Sequence, residues 1–259
     1  MLFPHFKPLD LSESINNALK NLTNSPAKVI GSMLADLLKI PAAKIHYLSE
    51  RNSVIEEKRF AKFVKDINHK VTDIDTEKLV SPHLQVVGTA IESSIYCLNS
   101  DELSEMFSSL ISNCCNMDFQ SIIHPAFSNT IKQLSPYDAT LFKHLSQNDF
   151  TPCVQYQKIS KFGNNFTIVY PCLPFVDSPF DNLDMENLSI SSLKHLGLIE
   201  YEIDSSLKQP LQKFIKCDYF QSLKKELEHQ EFQPLAKHCT LSLTPYGKSF
   251  ATACSIRPV

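Results

Sequence analysis

The chain has 259 residues, 43% of them hydrophobic and 20% charged, and a formal net charge of -3. A chain of this size buries roughly 70–75% of the surface its unfolded form exposes, so no external staple is needed to hold a core. The near-neutral balance excludes a global pull toward polyanions.

In chain order, the pattern from Asp10 to about Leu145 is helical. Val29, Ile30, Met33, Leu34, Leu37 and Leu38 mark one amphipathic stripe, which Pro41 is expected to close. Glu50 to Arg59 is charged on most sides, as on a long helix exposed for part of its length. Phe60, Phe63, Val64, Ile67 and Val71 follow at helical spacing. Such a stripe is core on a soluble protein more often than it is a partner or membrane face. Pro82 is expected to open the next helix, with Leu84, Val87, Ile91 and Ile95 along one side. Asn99 and Glu102 have the spacing of a capping box for the helix carrying Leu103, Phe107, Leu110 and Ile111. His124–Pro125 predicts another helix start, with Phe127, Ile131 and Leu134 on one face. Ser135 suits an N-cap, Pro136 the first helical position and Asp138 the first turn, so a further helix begins at Pro136 and Leu134–Ser135 is a bend.

After Gln147 the texture changes. Val154–Tyr156 and Phe166–Tyr170 favour strands, and residues 161–165 suit a hairpin loop. A helix over Asp184–Leu196 ends at Gly197, a residue suited to a left-handed C-terminal position. Leu198–Ile203 reads as a strand, Pro210–His229 as helical, Cys239–Leu243 as a strand, and Thr244–Pro245 as the start of a last helix through Ala253. Ser135–Tyr137 and Thr244–Tyr246 look alike because both reuse a good cap.

The expected architecture is mainly α: a helical bundle over residues 1–133, then a winged-helix-like α+β domain over 134–259, a helix-turn-helix variant with two late strands. The long connection from Phe150 to Asp184 and the helix between the two late strands depart from a compact wing.

The segments His124–Phe127, Ile131–Ala139 and His195–Glu200, reading HPAF, IKQLSPYDA and HLGLIE, resemble the bacterial Abi-alpha family, named for abortive infection. Weaker similarity runs from about Lys28 to Lys248. The resemblance implies a role in defence against phage and carries no catalytic residues with it.

The chemistry-bearing residues point less sharply. The eight cysteines are dispersed without a C-x-x-C pair, and read as reduced packing residues; Cys114–Cys115 sit adjacent on a helix as small hydrophobes. The histidines include no H-E-x-x-H, His238–Cys239 has no partner at ligand spacing, and the five glycines form neither G-x-G-x-x-G nor a complete P-loop, so no metal and no cofactor is expected. No apolar run approaches the ~20 residues of a membrane span, and the start of the chain lacks a signal-peptide core, which makes a cytoplasmic protein the expectation. The candidate functional or hinge residues are His124, Pro125, Phe127, Ser135, Pro136 and Asp138. His124 is either an acid, base or ligand or, by the simpler reading, part of a helix start, with Asp118 and Asp138 its nearest acids in sequence. Lys194 and His195 are the candidate nucleic-acid contacts, although residues 131–259 hold thirteen lysines and arginines against thirteen acidic residues, where a phosphate-binding module gathers positive charge. The preferred reading is a non-enzymatic effector or sensor working through a protein partner. The alternatives are a winged-helix nucleic-acid-binding regulator and a hydrolase or nuclease centred on His124; homo-oligomerisation stays open.

Overall fold

The computed structural model describes residues 11–24, 28–52, 54–174, 182–203 and 212–256. The fold is mainly α: among the described residues there are eleven α-helices and one four-stranded antiparallel sheet. Packing divides the chain into two compact units, residues 1–136 with 249–259, and residues 137–248.

The first unit is built from α1 (Glu13–Thr23), α2 (Lys28–Asn52), α3 (Val54–Thr72), α4 (Leu84–Ser94), α5 (Asp101–Asn113) and α6 (Phe127–Gln133). The phenylalanine stripe of α3 is core: Phe60, Phe63, Val64, Ile67 and Val71 are all fully buried, where α3 meets α1, α2 and α5. α2 corrects one expectation, because Pro41 lies inside the helix and does not close it. A proline forfeits one backbone hydrogen bond, and buried Leu34 and Leu38 before it and Ala42 and Ile45 after it keep both halves on one apolar face. Val29, expected on that face, is 85% exposed. Two starts shift by two residues: α4 begins at Leu84 behind His83, and α6 at Phe127. The cap of α5 shifts by one, since Ser100 and not Asn99 accepts the Leu103 N–H (3.3 Å) while its hydroxyl donates to Glu102 (2.9 Å).

The second unit opens on α7 (Pro136–Leu145), whose start is where the Ser-Pro pair predicts it. Then come β1 (Phe150–Ser160), β2 (Phe166–Pro174), α8 (Leu183–His195), β3 (Ile199–Ile203), α9 (Gln212–Lys216), α10 (Asp218–Glu226) and β4 (Phe232–Leu243). α11 (Pro245–Ala253) follows, its last residues grouping with the first unit. The strands lie in the order β2-β1-β4-β3, and β1–β2 is the expected hairpin across residues 161–165. β1 and β4 are longer than predicted, because Pro152, Pro234 and the mixed run Gln233–His238 hide their periodicity. The helical run expected over Pro210–His229 is broken at Cys217, and residues 204–211 lie outside the described residues. Register shifts in β1–β2 fall between Val154 and Gln157. Val154, Tyr156, Tyr170 and Leu173 form one apolar cluster with Phe214 and Phe220, and the Tyr156 hydroxyl donates to the Phe214 carbonyl (2.9 Å).

Gly197 has φ +71°, the left-handed conformation that ends α8. The Leu198 carbonyl accepts the Thr244 N–H (3.1 Å), the Thr244 hydroxyl donates to the Gly197 carbonyl (2.5 Å), and Thr244 Oγ1 accepts the Gly247 N–H (2.9 Å). The end of α8 and the start of α11 are thus tied at one junction.

Candidate functional site

His124 is exposed, and its Nδ1 accepts the Ala126 N–H (3.1 Å) at the entry to α6. This bond lies in the turn ahead of α6, whose N-cap is Ala126. Pro125 lines a cavity of about 360 Å³ with His83, Val86 and Gln120. Phe127 is fully buried and meets Phe250 edge-on, ring centroids 5.4 Å apart. The two acids nearest in sequence are engaged elsewhere: Asp118 takes the Lys78 ammonium (2.7 Å), and Asp138 belongs to α7.

Asp138 does more than sit at a helix terminus. It is 5% exposed, and its carboxylate accepts hydroxyl hydrogen bonds from Ser189 and from Ser192 (3.2 Å) on α8. One buried carboxyl therefore joins α7 to α8 through residues 51 positions apart in sequence. Ser135 is half-buried and Pro136 exposed. The division between the two units falls just after Pro136, inside this window.

At the end of α8, Lys194 Nζ lies 3.9 Å from the centroid of the Tyr201 ring on β3, a cation–π contact. His195 is exposed beside it. Upstream on α8, the Asn182 side chain caps the helix by accepting the Asp184 and Met185 N–H groups (both 3.1 Å). One turn on, Glu186 is 4% exposed and its Oε1 has no hydrogen-bond partner. Burial pushes its carboxyl up to about 7.

The structure also gathers a group that the linear spacing conceals. Cys153 on β1, Cys172 on β2 and Cys239 on β4 are all buried, and their sulfurs lie within 4.8 Å of one another. Cys153 and Cys239 are directly paired across the β1–β4 ladder, and the Cys239 and Cys172 sulfurs are 3.7 Å apart. Mutual hydrogen bonds from Cys153 and Cys172 hold the Cys239 thiol below its ordinary range, whereas burial pushes Cys153 up. The partner that His238–Cys239 lacks in sequence is supplied by sheet register. The one linear signal is that Cys153 and Cys172 flank a predicted hairpin loop. Cys114 and Cys115, by contrast, are 2% and 0% exposed in the first unit, with both thiols pushed up to about 12, chiefly by burial; such thiols are inert.

No helix among the described residues is long and apolar enough to cross a membrane. No curated protein matches the sequence. Among solved structures, the chain is similar to an uncharacterized protein from the hydrocarbon-degrading marine bacterium Alcanivorax borkumensis SK2, with 16% identity over 54% of this chain and 96% of that one, at a TM-score of 0.36. The profile of the abortive infection alpha family matches residues 55–254, most of the chain. The window from His124 to Asp138 and the junction after α8 both lie inside that match, and the chain belongs to the abortive infection alpha family.

Proposed function

We propose that this protein acts in defence against phage as a non-enzymatic effector or sensor that works through contacts with a protein partner in the cytoplasm. Family membership carries the role. The non-catalytic half of the reading is supported by Asp138, whose carboxylate is bonded to two serines of α8, and by His124, whose Nδ1 accepts a backbone N–H. General acid–base catalysis needs a titrating atom directed at a substrate; the Asp138 carboxyl is instead directed at α8, and one of the two His124 ring nitrogens is taken up by backbone. An apolar groove of about 360 Å³ between α2 and α4, lined by Ile40, Pro41, Ile91 and Ile95, offers a surface for protein contact, and Ile40 is 75% exposed at its edge.

In this reading the back half, residues 134–259, is a winged-helix-like module that follows a helical domain, 1–133, in the chain, with the His124–Asp138 window as the hinge. The antiparallel pairing of β3 with β4 supports the wing, with α9 and α10 inserted between its strands. The module serves contact with protein and not with DNA: Lys194 is stacked on Tyr201, and Asp184 and Glu186 sit at the other end of its helix. The test is phage plating on cells that express the wild-type chain, His124→Ala and Ile40→Glu. Protection that survives His124→Ala and falls with Ile40→Glu is the expected result. Protection lost in a His124→Ala protein of normal melting temperature promotes the hydrolase reading. Duplex-DNA binding whose affinity falls steeply with salt and weakens on Lys194→Ala promotes the regulator.

A further inference from the structure

We propose that Cys153, Cys172 and Cys239 form a three-thiolate site for a zinc ion within the sheet of the second unit. The argument begins with backbone register. Residues directly opposite in an antiparallel ladder hold their Cβ atoms about 4.5–5.5 Å apart, so the pairing of Cys153 with Cys239 brings two thiols together by construction. The irregular register of β1–β2 brings the third, from β2, to the same point. Tetrahedral zinc with Zn–S bonds of about 2.3 Å places its sulfurs about 3.8 Å apart. The Cys172–Cys239 separation is 3.7 Å, and the whole set lies within 4.8 Å, so the ion requires only small side-chain adjustments.

Three thiols also exceed what a disulfide uses, since any pairing leaves the third cysteine over. Thiolate donors select soft or borderline ions over calcium and magnesium. Glu186 favours zinc among them: it is buried and its Oε1 lacks a hydrogen-bond partner. Zinc accepts carboxylate oxygen as well as sulfur, and this buried acid is the candidate for a fourth place. Each thiol that ligates yields its proton to solvent as the metal–sulfur bond forms, and no electron moves. The ion would cross-link β1, β2 and β4, so binding couples to the stability of the whole sheet.

The test uses the full chain, purified under reducing conditions and treated with a chelator. Titration with Co²⁺ is expected to give one equivalent of binding, with a thiolate-to-cobalt charge-transfer band and the intense visible bands of a tetrahedral ion, both bleached when Zn²⁺ displaces it. Cys172→Ala and Cys239→Ala should each weaken binding on the order of 100-fold or more, beyond the loss typical of supporting residues, whereas Cys114→Ala leaves it unchanged. Metal-edge X-ray absorption of the zinc-loaded wild type needs no variant, and should find three sulfur neighbours at about 2.3 Å. The proposal is overturned by absence of the charge-transfer band in the wild type, by its persistence in the Cys172→Ala/Cys239→Ala double variant, by an oxygen- and nitrogen-only shell, or by a Cys172–Cys239 disulfide in the reduced preparation. None of these outcomes bears on phage plating by the unmodified chain, so this site and the defence role fail separately.

Discussion

Gly247→Ala gives the sharpest separation between sequence propensity and structure. By propensity alone, replacing a helical glycine with alanine stabilises by up to about 1 kcal/mol. Gly247 is in the first turn of α11, and a Cβ there would lie 1.9 Å from the Leu198 carbonyl oxygen and 2.8 Å from its carbon, both backbone atoms. Relief therefore demands that the α8–β3 connection or the start of α11 move by about 1 Å, a shift that close-packed interiors resist. That movement strains the Thr244 N–H bond to Leu198 (3.1 Å) and the Thr244 hydroxyl bond to Gly197 (2.5 Å), each worth about 1 kcal/mol net, and adds an overpacking cost of about 1–3 kcal/mol. The expected loss is about 3–5 kcal/mol. At about 2–4 °C per kcal/mol for a chain of this size class, the melting temperature read by far-ultraviolet circular dichroism should fall by roughly 10 °C. Gly88 in α4 is the control, because a Cβ there meets nothing within 4 Å; Gly88→Ala should leave the melting temperature unchanged or raise it. A Gly247→Ala protein that melts at or above the wild-type temperature would refute the junction as described.

Asp138→Ala removes a buried carboxylate that accepts from Ser189 and Ser192, and should cost about 2–3 kcal/mol; an unchanged urea midpoint would contradict it. Phe127→Ala opens a cavity against Phe250, with an expected loss of about 3–5 kcal/mol by the same measurement. For Glu186 the sign follows from a carboxyl raised from 4.5 to about 7. The folded state keeps its proton longer than the unfolded one, so this contribution is fully present below pH 4.5 and is lost as pH rises through about 7. In chelator-treated protein Glu186→Gln should remove up to about 3 kcal/mol of that decline, and parallel stability–pH curves for the two proteins would show the assignment to be wrong.

Two helix starts marked by a cap followed directly by proline were legible to the residue, Pro136 opening α7 and Pro245 opening α11, because proline fixes φ and lacks the N–H that the first turn leaves unpaired, whereas α4 begins two residues after Pro82. The same reasoning placed α6 two residues early. His124 and Pro125 belong to the turn ahead of the helix, where the Ala126 N–H donates to an imidazole, a bond that composition does not reveal. Pro41 read as a stop because local chemistry says so, and the tertiary apolar face of α2 outweighs it. The strands were legible where hydrophobic residues alternate and hidden where Pro234 or Gln233 interrupts them. Asp138 and the three cysteines share one reason for being missed. Their partners are 51 to 67 residues distant in sequence or set by β register, and beyond the predicted β1–β2 hairpin no local pattern encodes a meeting between α7 and α8 or of β4 with β1.

Efficiency of phage plating on cells expressing His124→Ala beside the wild-type chain tests the central claim most directly, given that the variant melts with the wild type. The account predicts equal protection by both proteins, because His124 serves the start of α6 and the defence role works through protein contact. Protection by the wild type that disappears in a normally folded His124→Ala protein would contradict it.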